Sequence, residues 1–292
     1  MTLYLNFRSR TIAGSVVDAR VMDGDGTAMP PALRLIPEVE VPGRFAGRSI
    51  LFAVHGFNVP QQPGACALGN LEAYLTQSGV LRPSNLFVGV LWPGDYWIPA
   101  INYPFEGNDA IACGQRLAAF CNRWLDAAPA ISFISHSLGA RLVLEAVANM
   151  RQRAHLVCLA AAAINRDCLG AQYAVAAENA DSIAVLASRQ DLVLRLAYPV
   201  GDMISDILNP DHAMFRGALG RNGPALPAPP HARLPWQIPD QDSPAHRGNF
   251  GHGDYLPPGS QALPNGGGAV GKWTASANFM GRAYRGQLHD WP

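Results

Sequence analysis

Residues 130–150 read AISFISHSLGARLVLEAVANM, and this stretch decides the fold. Its first part, 130–134, is a short apolar run of the kind found in strands that are buried on both faces. Its second part, 138–150, carries apolar residues at helical spacing and predicts an amphipathic helix. Ser137 lies at the junction of the two. The stretch therefore predicts a strand, a sharp turn that carries a serine, and a helix.

The same alternation of strand and helix continues on both sides of this stretch. Further short apolar runs occur at 49–54, 86–91, 156–160 and 183–187, and segments with helical features lie at 65–78, 109–127 and 168–177. Strands and helices that alternate at this spacing indicate βαβ units. We therefore predict an α/β fold with a mostly parallel sheet and helices on both of its faces.

Both ends of the chain differ from this central pattern. Near the N-terminus, Leu3, Leu5 and Phe7 alternate with more polar residues, which predicts a strand. Near the other end, 220–272 holds ten of the 24 prolines and has no clear periodicity, so we expect a lid or a wrapping segment there. We predict a single domain, 1–292, with antiparallel N-terminal strands in 1–47, core sheet and helices in 48–215, and a loop-rich segment in 216–292.

Composition argues against several classes of function. The 22 basic and 22 acidic residues cancel, so no net charge attracts nucleic acid. No segment has about 18 uninterrupted apolar residues, so we expect no membrane span. The five cysteines include no C-x-x-C pair, which favours reduced thiols and a cytoplasmic location. The sequence leaves the oligomeric state open.

The turn at Ser137 has the features of a nucleophile elbow, which is usually written G-x-S-x-G. Ser135 replaces the first glycine but is also small, and Gly139 is retained. The Leu138 N–H precedes the helix and can face a developing oxyanion. A second donor is expected in the loop after 49–54, where His55 and Gly56 shape the backbone and Phe57 offers its N–H.

Three segments together resemble the α/β-hydrolase superfamily: VHGFN (54–58), SHSLGA (135–140) and SRQD (188–191). The chain looks most similar to a poorly characterised branch with an H-G-F-N oxyanion loop and a W-P dipeptide after the next strand, here Trp92-Pro93. The resemblance covers roughly 48–195. It implies a catalytic triad whose members follow the order serine, acid, histidine.

That order makes Asp191 the expected acid, because it follows the apolar run 183–187 at the end of a predicted strand. Its role would be to orient the histidine and stabilise the imidazolium. Asp167 is the second candidate, ahead of Asp202 and Asp206. The alternative interpretation of Asp191 is an exposed residue that caps a helix from Leu192.

Several histidines follow the acid: His212, His231, His246, His252 and His289. We favour His252 as the base because Gly251 and Gly253 would let a loop histidine enter the site. His246 and His289 remain alternatives. His136 is next to the serine and is not expected to turn back to accept its proton.

An aromatic loop follows the strand at 86–91. We expect Trp92, Tyr96 and Trp97, together with His55 and Gly56, to line a pocket at the carboxyl end of the sheet, where α/β folds bind ligands. Simple packing of a long loop is an equal alternative for the aromatic residues.

The sequence thus predicts a serine hydrolase that cleaves an ester-like acyl bond in a small molecule through Ser137, Asp191 and His252. No cofactor or metal is implied. Two alternatives stay open: a non-catalytic binding module with this fold, and a hydrolase that acts on amides or thioesters.

Overall fold

The computed structural model describes residues 1–12, 14–95, 103–195, 217–225, 232–238, 250–259 and 271–287. Over these residues the chain forms one mixed sheet with helices packed against it. Its nine strands are β1 (Thr2–Arg8), β2 (Val16–Gly24), β3 (Leu33–Leu35), β4 (Ser49–Val54), β5 (Asn85–Leu91), β6 (Ile131–His136), β7 (Leu156–Ala160), β8 (Ile183–Ala187) and β9 (Ala232–Gln237).

The strands lie in the order β3-β2-β1-β5-β4-β6-β7-β8-β9. The pairs β1–β2 and β2–β3 are antiparallel, and every other neighbouring pair is parallel. From β4 the chain moves to β5 on one side and then returns to β6 on the other. The carboxyl ends of β4 and β6 therefore flank a topological switch point, where open α/β sheets bind their ligands.

The helices are α1 (Val41–Phe45), α2 (Gln61–Gln77), α3 (Tyr103–Trp124), α4 (Gly139–Asn149), α5 (Ala174–Glu178), α6 (Leu219–Asn222) and α7 (Lys272–Tyr284), with 3-10 turns at Glu38–Glu40, Cys168–Gly170 and His252–Asp254. Side chains of α1, α3, α4 and α5 form one apolar cluster with the sheet, and those of α2 and α7 form a second. Successive residues of β4 alternate between the two clusters, with Phe52 in the first and Ala53 in the second. The sheet thus has helices on both faces.

This architecture confirms the predicted fold class. The predicted runs 49–54, 156–160 and 183–187 match β4, β7 and β8 residue for residue. The predicted helix at 168–177 was wrong as a continuous element: a 3-10 turn ends at Gly170, and α5 begins only at Ala174.

Strands β1 and β9 differ from what their local sequences indicate. β1 is buried on both faces because it lies inside the sheet, between β2 and β5. β9 falls in a segment that we expected to lack regular structure. It forms because it pairs in parallel with β8, and no local periodicity can reveal that long-range pairing. The division of the chain into 1–47, 48–215 and 216–292 stays a prediction.

Two further observations concern the described part of the chain. None of its helices is long and apolar enough to cross a membrane. All five cysteines are buried thiols.

Candidate active site

Ser137 occupies a sharp turn between β6 and α4. Its φ is +54°, in the left-handed region that a residue with a side chain rarely adopts. Ser137 N–H donates to the Ala160 carbonyl over 3.0 Å, and Ala163 N–H donates to the Ser137 carbonyl over 3.2 Å, so β7 and the residues after it hold the turn. This geometry is the strained strand-to-helix turn that a nucleophile elbow needs.

Small residues on both sides of Ser137 make the turn possible. A Cβ on Gly139 would lie 2.6 Å from the His55 carbonyl oxygen, so only glycine lets α4 approach the end of β4. Ser135, which replaces the usual first glycine, is fully buried, and its hydroxyl lies 3.4 Å from the Cys158 carbonyl oxygen. The sheet therefore has room for this serine.

The imidazole of His252 lies between Ser137 and Asp191. His252 Nε2 is 2.8 Å from Ser137 Oγ, and His252 Nδ1 is 2.7 Å from Asp191 Oδ2. An ionised carboxylate only accepts hydrogen bonds, so Nδ1 carries the proton and Nε2 is left to accept one from the serine. These three residues were predicted from the sequence as site residues, and the structure brings them together.

Asp191 also caps the helical turn that follows it. Its Oδ1 accepts the Leu194 N–H over 2.9 Å, while Oδ2 faces His252. The carboxylate is fully buried, and each of its oxygens has a partner. Asp191 thus combines the capping role with a contact to the imidazole, and the cap fixes the direction in which Oδ2 points.

The turn that carries His252 is fixed from several sides. Asp254 Oδ2 accepts the Gly251 N–H over 2.6 Å, and Lys272 Nζ at the start of α7 donates to the same oxygen over 3.3 Å. From the end of β8, Ser188 Oγ donates to the Phe250 carbonyl over 3.1 Å. The imidazole therefore comes from a short supported turn within a segment rich in glycine and proline.

His136 supports the same turn rather than accepting the serine proton. Its Nε2 lies 2.8 Å from the His252 carbonyl oxygen, to which it donates, and the two imidazole rings are 4.9 Å apart. Burial, first, and then the positive potential of a protonated His252 lower the pKa of His136 to about 3. His136 is therefore neutral near pH 7 and keeps the N–H that this hydrogen bond requires.

The loop after β4, residues 55–60, lies directly beside Ser137. A Cβ on Gly56 would be 2.9 Å from the Ser137 Cβ and 2.8 Å from His136 Nδ1. The next residue, Phe57, packs against the apolar core. On the other side, Leu138 comes immediately before α4, where N–H groups have no partner within the helix. The backbones that carry both predicted oxyanion donors thus adjoin the serine.

His55 and Trp92 are support residues of this loop. Both are fully buried, and their rings stack with centroids 5.9 Å apart. Trp92 Nε1 donates to the His55 carbonyl over 2.9 Å, and Trp92 N–H donates to His55 Nε2 over 3.3 Å. Burial is the main cause that lowers the pKa of His55 to about 3, so the ring is neutral and Nε2 can accept.

Arg8 is a residue that sequence reasoning missed. Its side chain is fully buried at the end of β1 and forms an ion pair with Asp95. The sequence signal was an arginine within an alternating apolar run, which suggests an outward-facing residue. Because β1 is an interior strand parallel to β5, Arg8 instead contacts the loop at 92–95, where it binds the Trp92 carbonyl and the Asp95 carboxylate.

A cleft of about 490 Å³ lies beside these residues, and its lining includes neighbours of Ser137 and His252 rather than those two residues themselves. Its wall includes Gly56, His136 and Gly253, each of which adjoins a member of the serine–histidine pair. Among the described residues, the remaining lining is mostly apolar and includes four prolines, with Lys272 and Asp254 as charged groups. These residues are His55, Asn58, Val59, Pro60, Pro63, Ala67, Asp254, Leu256, Pro257, Pro258, Gly259, Gly271, Lys272 and Trp273.

The predicted pocket residues are distributed unevenly. His55 and Gly56 line the cleft, whereas Trp92 is buried behind His55 and is not part of the wall. The remaining pocket residues and several candidate acids and bases lie outside the described residues: Tyr96, Trp97, Asp202, Asp206, His212, His231, His246 and His289. The second acid candidate, Asp167, precedes the turn Cys168–Gly170, and the carboxylate that contacts His252 is that of Asp191.

The sequence was compared with models of known protein families, and one family model matches the chain. Residues 43–226, more than half of the chain, match the model of a family described as alpha/beta hydrolase of unknown function (DUF900). No curated protein matches the sequence significantly.

Among solved structures, similarities are distant. Esterase PE8 is 15% identical to this chain with a TM-score of 0.44, and the match covers 91% of this chain and 99% of the PE8 chain. An inhibited esterase B from Lactobacillus rhamnosis is 11% identical with a TM-score of 0.41, covering 83% and 78%. Carboxyl esterase 2 from Tuber melanosporum is 12% identical with a TM-score of 0.42, covering 93% and 82%.

Proposed function

The chain belongs to the alpha/beta hydrolase family of unknown function described above, and on that premise we propose that it is a serine hydrolase acting on carboxylic esters. One observation carries the proposal. An imidazole lies 2.8 Å from the hydroxyl of Ser137 and 2.7 Å from a buried carboxylate, and the serine is held in a left-handed turn. Buried polar groups in this arrangement are suited to nucleophilic catalysis.

In the proposed mechanism, His252 Nε2 accepts the Ser137 proton while Oγ attacks the carbonyl carbon of the ester. The imidazolium then gives that proton to the leaving alcohol, and an acyl-serine remains. Water attacks the acyl carbon with His252 as base, and the acid product leaves as Ser137 regains its proton. Asp191 holds the ring orientation and stabilises the imidazolium throughout.

The developing oxyanion would be bound by the N–H groups of Phe57 and Leu138. The close approach of Gly56 to Ser137 supports this assignment, because it brings the residue-57 amide to the side of the serine. Leu138 contributes from the start of α4. Donors that are fixed before the reaction stabilise the transition state without reorganisation, and the loss of one typically costs about 10²–10³-fold in rate.

The lining of the cleft supports a small or medium-sized substrate with an apolar portion. Its volume, about 490 Å³, lies within the range of small-molecule sites. The prolines and Trp273 offer apolar surface, and the Lys272–Asp254 ion pair at 3.3 Å supplies a polar boundary. We therefore propose ester substrates whose apolar group lies along this wall.

The test is turnover of p-nitrophenyl esters of increasing acyl length by the wild-type protein and two alanine variants. Ser137→Ala should reduce turnover to background. Ser135→Ala is a matched control, because it removes a hydroxyl near the end of β6, two positions before Ser137, that lies 3.4 Å from the Cys158 carbonyl oxygen. It should keep activity within a few-fold of the wild type.

Equal turnover by the wild type and Ser137→Ala on every ester would contradict the proposal and favour a binding module. The protein could instead hydrolyse only p-nitroanilides or thioesters and still require Ser137. That result would confirm Ser137 as the nucleophile and contradict the proposal that the substrates are carboxylic esters.

A further inference from the structure

The buried side chain of Arg8 contacts three segments of the chain: the residues just after β1, the loop after β4 that carries Phe57, and the loop after β5. All five N–H donors of Arg8 are used: Nε binds the Arg10 carbonyl at 3.3 Å, Nη1 binds the carbonyls of Trp92 at 2.7 Å and Val59 at 3.3 Å, and Nη2 binds the Thr11 carbonyl at 3.1 Å and the Asp95 carboxylate. Val59 belongs to the loop after β4, and Trp92 and Asp95 belong to the loop after β5. One guanidinium thus fixes both loops to the end of β1.

The two loops are also bonded directly to each other. Asn58 N–H donates to the Gly94 carbonyl, and Asn58 adopts a φ of +56°. On the other side of Phe57, the His55 carbonyl accepts Trp92 Nε1–H, and His55 Nδ1 donates to the Gly56 carbonyl at 2.8 Å. Phe57 is therefore held between two anchored residues. The loop at 92–95 is the common anchor, and Arg8 holds that loop.

From this network we propose that Arg8 is a positioning residue of the oxyanion hole, and this inference rests on the proposed serine-hydrolase function. Arg8 does not touch the substrate. It acts through Trp92 and Val59 to hold the Phe57 N–H at the distance from Ser137 that the tetrahedral intermediate requires. A planar fork of five donors suits this task, whereas lysine has only three donors on one nitrogen.

The burial of Arg8 argues that it does more than stabilise the fold. A fully buried ion pair is expensive to desolvate, and apolar residues of similar size often stabilise a fold equally well. The Arg8 side chain is fully buried and that of Asp95 is 4% exposed. Four of the five Arg8 contacts are to carbonyls of loops, which apolar packing could not fix in direction.

The test is the kinetics of Arg8→Lys on an ester that the wild type hydrolyses. Because a displacement of about 1 Å can cost about 10²-fold, we expect kcat to fall about 10- to 100-fold while KM changes less than about 3-fold. The inhibition constant of a phenylboronic acid, whose adduct with serine is tetrahedral, should rise by a similar factor. A second variant, Trp92→Phe, removes one hydrogen bond to His55 and keeps the stacked ring, so a smaller loss of kcat is expected.

Arg153→Lys is the matched control. Arg153 also binds one carboxylate and two carbonyls, those of Asp181, Glu178 and Ala180, but at the amino ends of the strands. Its kcat should equal that of the wild type. The proposal is overturned if Arg8→Lys loses activity only through KM or the folded fraction, or if Arg153→Lys loses kcat equally.

Amide hydrogen exchange reports whether Arg8 holds the two loops in place, and this measurement does not depend on whether the protein hydrolyses esters. In Arg8→Lys, amides of 55–60 and 92–95 should exchange faster, while those of β6 and α4 keep wild-type protection. Unchanged exchange in both loops overturns the inference even if the wild type is an active esterase. A wild type that hydrolyses no ester, together with faster loop exchange in Arg8→Lys, would overturn the proposed function and leave the loop anchor intact.

Discussion

Two arginine–aspartate pairs lie at opposite ends of the sheet and differ in their contact with water. At the carboxyl end, Arg8 and Asp95 have side-chain exposures of 0% and 4%. At the amino end, Arg153 and Asp181 have exposures of 54% and 52% and a separation of 2.9 Å. Exposed pairs contribute about 0–1 kcal/mol, whereas a buried pair is costly to desolvate and costly to break.

The difference extends to the polar groups around each pair. Beyond the carboxyl ends of β4, β6 and β8, the side chains of His55, Ser137, Ser188 and Asp191 are all at most 4% exposed. Near the amino ends, polar residues such as Arg82 and His155 lie largely in solvent. The buried polar groups of His55, Ser137, Ser188 and Asp191 thus gather around the serine turn, and we expect them to have a function there.

Beyond Ser137 itself, the largest expected effect comes from the acid, Asp191. Asp191→Asn keeps an oxygen to accept the Leu194 N–H but cannot stabilise the imidazolium or enforce its tautomer. We expect kcat for an ester to fall on the order of 10³–10⁴-fold with little loss of stability. Steady-state kinetics measures this loss.

Asp167→Asn is the control, because Asp167 was the second candidate acid and should leave kcat near the wild-type value. An equal loss in both variants would contradict the assignment of Asp191.

The two ion pairs should differ strongly in their effect on stability. Arg8→Met leaves Asp95 buried without its partner, so the free energy of unfolding should fall by about 3–5 kcal/mol. Arg153→Met should lower it by about 1 kcal/mol or less, because both side chains are half-exposed. Urea unfolding followed by circular dichroism measures both changes, and equal values for the two variants would remove the contrast between the two ends.

A methyl group beside the serine should disturb the site more than the fold. In Gly56→Ala the new Cβ would lie 2.9 Å from Ser137 Cβ, so the loop or the elbow must move. A displacement of this kind should lower kcat about 10²-fold.

Gly43→Ala is the matched control, since a Cβ at Gly43 meets no atom within 4 Å. Its kcat and stability should stay near those of the wild type. Wild-type kcat in Gly56→Ala would mean that the loop after β4 does not contribute to the reaction.

The smallest effect concerns pH. Burial lowers the pKa of His55 to about 3 in the folded protein. Between about pH 6.5 and 3 the unfolded chain binds a proton at this residue and the folded chain does not, so stability is lost as the pH falls through this window. From pH 7.5 to 5.0 the contribution of His55 is about 2 kcal/mol.

His55→Gln cannot titrate, so its free energy of unfolding should decrease by about 2 kcal/mol less than that of the wild type over the same interval. Urea unfolding at the two pH values gives the comparison. The same pH dependence in both proteins would show that His55 is not held neutral by burial.

Local patterns predicted much of the central sheet and the serine turn. Runs of apolar residues have a length and composition that hardly depend on the rest of the chain, so β4, β7 and β8 could be located from them. The turn at Ser137 was equally visible, because an apolar strand and an amphipathic helix meet there with small residues on both sides.

The missed features depend on contacts between distant segments. β9 forms only against β8, and Arg8 meets a carboxylate 87 positions away in the sequence. Neither partner of that ion pair differs locally from a surface residue. His252 was chosen among several histidines from its flanking glycines, and its 2.8 Å approach to Ser137 Oγ depends on a segment with little periodicity.

The most direct test of the central claim is the mass of the intact protein after treatment with a fluorophosphonate, followed by identification of the modified peptide. We predict one phosphonyl adduct, located on Ser137, which forms in the wild type and in Ser135→Ala but not in Ser137→Ala. A wild-type protein that stays unmodified, or an adduct on a residue other than Ser137, would contradict it.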